Sequence, residues 1–157
     1  MKQLHITENY LRNLIRESVM RALNEEETED ETNSTLSNSK IVDLISFLHN
    51  AQLPVRELHW NTRNNALHLL TDETIDELLD WEDRLAETYL GVSGSELKIN
   101  DTKPSGTEFK GMMESLIDLA NEVRDSIGND NDYDNVNAII DEILETANKN
   151  IYRSEFK

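Results

Sequence analysis

Apolar residues recur at three- and four-residue intervals along four long stretches of this chain, and little interrupts them. Ile41, Leu44, Ile45, Leu48, Val55 and Leu58 form the first series, and Leu67, Leu70, Ile75, Leu78, Leu85 and Tyr89 the second. Phe109, Met112, Met113, Leu116, Leu119, Ala120, Val123 and Ile127 form the third, and Val136, Ile139, Ile140, Ile143, Leu144, Ala147 and Ile151 the fourth. That period places each series on one face of an α-helix. The 157 residues include five Gly and two Pro, too few for the frequent turns of a strand-rich fold. The spacing therefore predicts an all-α bundle built on one core of ordinary domain size.

The helices are expected over 39–61, 66–90, 107–127 and 134–153. Ser37–Ser39 offers cap residues before the first, and Pro54 inside it predicts a kink, since proline removes an N–H and crowds the carbonyl of Asn50. Gly91 and Gly128 read as stop signals. Short connections join the first helix to the second and the third to the fourth, whereas 92–106 is long. A bundle with one long crossover is a ferritin-like layout.

A separate region precedes this body. In residues 7–23, Leu11, Leu14, Ile15, Val19, Ala22 and Leu23 make one amphipathic helix, with Thr7 as its cap. An isolated helix this short is marginal in water, so its apolar stripe needs a partner. Residues 25–31, EEETEDE, hold six acids and no base, and 25–38 as a whole predicts a flexible acidic linker. The chain thus divides into a docking helix over 1–24, a linker over 25–38 and a bundle over 39–157.

Charge and composition exclude several functions. The net charge is −17, against direct DNA binding, which needs clustered Lys and Arg. There is no cysteine, so disulfides, thiolate metal sites and thiol nucleophiles are absent. No run reaches the length of a membrane span, and MKQLHITENYLRNLIRES lacks the apolar stretch of a secretory signal. A cytoplasmic protein is expected.

The chemistry-bearing residues gather in the first two bundle helices. His68 and Asp72 stand four apart, on one helical face, and Asp83 and Glu87 repeat that spacing further along. A His and several carboxylates suit a divalent first-row metal, although acids four apart also commonly mark a solvated face. At the helical rise, His68 and Asp83 lie about 22 Å apart, so one chain cannot bring both to one ion. A shared metal then requires an antiparallel second copy and a symmetric dimer.

Other residues have plainer readings. His49 is expected on a polar face or in the core, and Trp81 in packing. Asp130, Asp132 and Asp134 imitate the opening of a calcium loop, but Asn135 replaces its glycine and Asp141 its last glutamate, so the turn reads as helix capping.

The segment ELHWNTRNNALHLLTDETIDELLDWEDRLAETYLG resembles the ferroxidase region of Dps-like miniferritins, including small ferritin-like relatives encoded by phages. The resemblance rests on His-Trp-Asn at His59–Asn61, on His-x-x-x-Asp at His68 and Asp72, and on Asp-x-x-x-Glu at Asp83 and Glu87. ANEVRDSIG, at 120–128, is similar to that family's third helix. The resemblance implies an iron site that oxidises Fe(II) with peroxide or oxygen. His59, His68 and Asp72 would come from one subunit and Asp83 and Glu87 from its twofold mate. It also implies a homo-oligomeric shell, typically of twelve subunits, that stores ferric iron. Trp60 would then intercept oxidising equivalents, or else anchor the core. The two histidines are nine residues apart, against twelve in the best-known bacterial members, so their joining turn is shorter. The lysine-rich tail that binds DNA in some members is missing. The alternative is a ferritin-like structural or cargo protein, associated with a phage particle and docked through 7–23, with a weak metal site.

Overall fold

The computed structural model describes the backbone of residues 8–128 and 130–156, and side chains outside 8–14, 17 and 19–34. Four α-helices and one short 3-10 turn make up its regular structure, with no strand among the described residues. Helix α1 spans Glu8–Asn61, α2 Asn65–Ser93, α3 Phe109–Ile127 and α4 Asp134–Ser154, with the 3-10 turn at Asn131–Tyr133.

The first helix departs from expectation. Its backbone is helical through 25–38, where the acid run predicts a flexible linker, and no new helix starts at Ser37–Ser39. No Gly or Pro lies between Glu8 and Leu53, and glutamate is a good helix former, so nothing in the covalent chain stops the helix there. Ser37 is buried, and its hydroxyl donates to the Ser126 carbonyl at 2.7 Å instead of capping α1. The helix also continues through Pro54. The chain divides into two units, 1–35 and 36–157. Of the first, Thr7 and the side chains of Leu11, Leu14, Val19, Ala22 and Leu23 lie outside the described residues, while Ile15 is exposed.

The second unit holds the core. Ile41, Leu44, Ile45, Leu48, Val55, Leu78, Leu85, Met112, Met113, Leu116, Ile140 and Ile143 are fully or almost fully buried, as their periodicity predicts. Each such side chain contributes about 1.5–3 kcal/mol by leaving water. Side-chain bonds fix the helix directions. Lys40 pairs with Glu122 and His49 with Glu82, while Arg153 pairs with Glu73 and Arg124 with Asp141. With Ser37 against Ser126 and the turn at 62–64 joining α1 to α2, both α2 and α3 run antiparallel to α1.

The connection between α2 and α3 lies along α1. Asn100 bonds Asp43 and Ser46, and the Asn50 amide donates to the carbonyls of Asn100 and Thr102. Helix α2 does not stop at Gly91. It runs one further half-turn to Ser93, and Gly94 takes the left-handed cap with φ 61°. Gly91 needs no special backbone angle, so an ordinary helical position accommodates it. Gly128 does end α3, at φ 62°. The acidic turn caps the 3-10 turn, the Asp130 carboxylate accepting from the Asp132 N–H at 3.0 Å, whereas α4 itself starts at Asp134 without a side-chain cap. No helix among the described residues is long and apolar enough to cross a membrane.

Candidate metal centre

The turn between α1 and α2 is three residues, Thr62–Asn64, and it is built by local hydrogen bonds. Asn64 caps α2, its side-chain oxygen accepting from the N–H groups of Ala66 and Leu67. The Thr62 hydroxyl accepts from the Asn64 N–H at 3.2 Å. This tight closure brings the last turn of α1 against the first turn of α2, so that His59 and His68 meet.

Their geometry is reciprocal. His59 Nδ1 lies 3.0 Å from the His68 carbonyl oxygen, and His68 Nδ1 lies 3.0 Å from the His59 carbonyl oxygen. A carbonyl only accepts, so each Nδ1 carries a hydrogen, and in the neutral form of each ring Nε2 is the atom with the lone pair. The rings stack with centroids 4.0 Å apart and planes 21° from parallel. Asp72, one turn beyond His68, places a carboxylate oxygen 4.0 Å from His59 Nε2. The His59 side chain is 16 % exposed and that of Asp72 71 %, so the group opens outward.

Asp83 and Glu87 stand further along α2, both exposed and without a hydrogen bond or ion pair among the described residues. The structure therefore gathers His59, His68 and Asp72 and leaves Asp83 and Glu87 apart. Among the described residues, no three His, Asp or Glu side chains converge closely enough within one chain to hold a metal ion. The exposed face of α2 that carries these acids also carries Leu69, Leu79 and Leu90, each more than two-fifths exposed.

Neighbouring groups take other roles. Trp60 is 66 % exposed beside this group, which overturns its reading as a core anchor. Its place as the penultimate residue of α1, past the last buried position, turns it to solvent. Trp81 is buried and donates to Glu142 at 3.3 Å, so it packs as expected. Glu142 lies below the usual carboxylate range, chiefly because the Arg84 guanidinium bonds it. His49 is on an exposed face, its Nδ1 2.8 Å from Glu82, and the Gln52 amide donates to the other Glu82 oxygen. Periodicity does not reveal that clamp, because its partners lie on different helices. Nor does it reveal Thr71, Thr74 and Asn150, polar residues that the structure buries.

A model for DUF5856, a family of unknown function, matches residues 59–153, a stretch that starts at His59 and includes all five candidate residues. No curated protein and no solved structure matches the chain.

Proposed function

We propose that this chain, which belongs to the DUF5856 family of unknown function, is a ferritin-like protein that oxidises Fe(II) at a site shared by two copies and keeps the ferric product in an oligomeric shell. The observation that carries this reading is the reciprocal clamp of His59 and His68. Both Nδ1 atoms are committed to carbonyls, so both Nε2 lone pairs remain for a cation, with the Asp72 carboxylate beside them. A metal-ligating imidazole is oriented in this way, its other N–H held by a carbonyl or carboxylate. Two imidazole nitrogens with carboxylate oxygens suit a first-row divalent ion such as Fe(II).

One copy leaves that coordination incomplete, and the arrangement of α2 supports completing it with a second. His68 and Glu87 are equidistant from the midpoint between Glu77 and Leu78, and so are Asp72 and Asp83. A twofold axis over that midpoint pairs α2 with its copy in antiparallel register. His68 then faces Glu87 of the partner subunit, and Asp72 faces Asp83 of the partner subunit. Leu69, Leu79 and Leu90 would be covered by the same contact, which gives their exposure a reason. The antiparallel course of both α2 and α3 against α1 supports reading 94–108 as the one long crossover of a ferritin-like layout.

In this reading Fe(II) is the substrate, and each ion gives one electron to dioxygen or peroxide. His59 and His68 hold it through neutral Nε2 atoms, and the carboxylates offset the charge that builds from Fe(II) to Fe(III). Light scattering behind size-exclusion chromatography, before and after anaerobic Fe(II) loading, tests the assembly and the site together. A large closed oligomer holding about one or two irons per subunit, and oxidising them faster than free solution does, is expected. A monomer that binds no iron overturns the reading.

A further inference from the structure

A cavity of about 570 Å3 opens between α1 and the segment that leads into α3. One of its walls is the connection between α2 and α3. The Asn50 amide pins it through the carbonyls of Asn100 and Thr102, at 2.8 and 2.9 Å. Between Thr102 and the buried Phe109, Lys103, Ser105, Gly106 and Thr107 are exposed and line the cavity. The volume falls within the range of small-molecule sites.

Its walls are specialised. Both prolines of the chain, Pro54 and Pro104, line it. Leu53, 60 % exposed, adds an apolar side chain at the same site. Proline rings are rigid and without an N–H, so they offer apolar surface at little cost in conformational freedom. His49 lines the cavity too, with its ring fixed by the 2.8 Å bond to Glu82. Lys103 supplies a cation. Its ammonium lies 3.4 Å from Asp101, and the two side chains are 62 % and 99 % exposed. An ion pair so open to water contributes little and can be exchanged for another anion.

We propose that this cavity binds a small aromatic anion, its ring held among Pro54, Pro104, Leu53 and the His49 imidazole and its acid group on Lys103. Rigid apolar walls favour a rigid ring, which loses little conformational freedom on binding, over a flexible chain. The lysine selects an acid over a neutral molecule of the same shape. The inference is independent of iron, because none of these residues belongs to the candidate metal centre.

Isothermal titration calorimetry of the metal-free full chain with 2-naphthoate tests it at any oligomeric size. Saturable binding is expected, with one ligand per chain. Acetate, an acid without a ring, and 2-naphthalenemethanol, a ring without a charge, should each bind at least fivefold more weakly. Lys103→Gln should weaken naphthoate at least fivefold and Leu53→Asp at least tenfold. Both positions are exposed, so the fold should survive either change, and Phe156→Ala should leave the affinity unchanged. No saturable binding, or an affinity indifferent to both Lys103→Gln and Leu53→Asp, overturns the proposal. Equal affinity for 2-naphthalenemethanol overturns its anionic part.

Discussion

His59 and His68 hold each other, each ring donating from Nδ1 to the other residue's backbone carbonyl at 3.0 Å. The His59 carbonyl belongs to the last turn of α1, where no later helical N–H reaches it, so His68 satisfies an acceptor the helix leaves orphaned. One pair of side chains thus closes the α1–α2 turn and commits both Nδ1 atoms to backbone carbonyls. Replacing His68 by Ala is expected to cost stability of about 1 kcal/mol for the lost bond. The same change should also remove anaerobic Co(II) binding, read as loss of the visible d–d bands. Unchanged cobalt spectra in both His59→Ala and His68→Ala would place the cation elsewhere.

The twofold reading makes a prediction that no single-chain site can satisfy. A variant carrying His68→Ala and Asp72→Asn lacks one half of the shared site, and a variant carrying Asp83→Asn and Glu87→Gln lacks the other. Each alone should be inactive in Fe(II) oxidation. After co-refolding in equal amounts, half the dimers are mixed, and each mixed dimer regains one intact site of its two. About a quarter of the wild-type activity should return. No recovery on mixing would argue against sharing between copies.

Assembly along α2 depends on a face that is partly apolar. Leu79 is 43 % exposed and sits beside the proposed axis, close to its own copy. Leu79→Glu would set two further carboxylates against Asp76 and its symmetry mate, and like charges at close range repel. The expected result is a monomer by light scattering with an unchanged circular dichroism spectrum, since the position lies outside the core. An intact large oligomer in Leu79→Glu would move the interface to another face.

How much of this was legible beforehand varies with the kind of signal. The buried series from Ile41 to Val55 and from Met112 to Ile127 follows from apolar periodicity, because burial of one helical face is what that period encodes. The end of α2 did not follow, since Gly91 and Gly94 are equally good caps by residue type and only the backbone angles choose between them. Thr71 and Thr74 lie outside the apolar series, yet both are buried, with their hydroxyls bonded back to the carbonyls of Leu67 and Leu70. His68 with Asp72 was readable as spacing. Its bond to His59 depends on how tightly three residues turn, which no periodicity measures.

Glu77 carries the remaining prediction, and it concerns pH. Burial between α2 and α4 pushes its carboxyl above the ordinary value of 4.5, and Glu73 nearby adds to the rise. The Asn150 amide, donating at 2.7 Å, pulls the other way, as do Arg153 and Lys149. A folded-state value above the unfolded one means that the native protein binds this proton more tightly. The contribution of Glu77 to stability is therefore fully present below the ordinary carboxylate range and is lost as pH rises through the folded value. At neutral pH the ionised group is a net cost. Glu77→Gln keeps an oxygen for Asn150 and removes the charge, so it should raise Tm at pH 7 by a few degrees, about 1 kcal/mol or less. That advantage should shrink steadily as the pH is lowered and be gone near pH 4, where wild-type Glu77 is itself protonated. Thermal melts of both proteins across that range check the sign. A variant less stable than wild type at pH 7 would mean that the hydrogen bond to Asn150 outweighs burial.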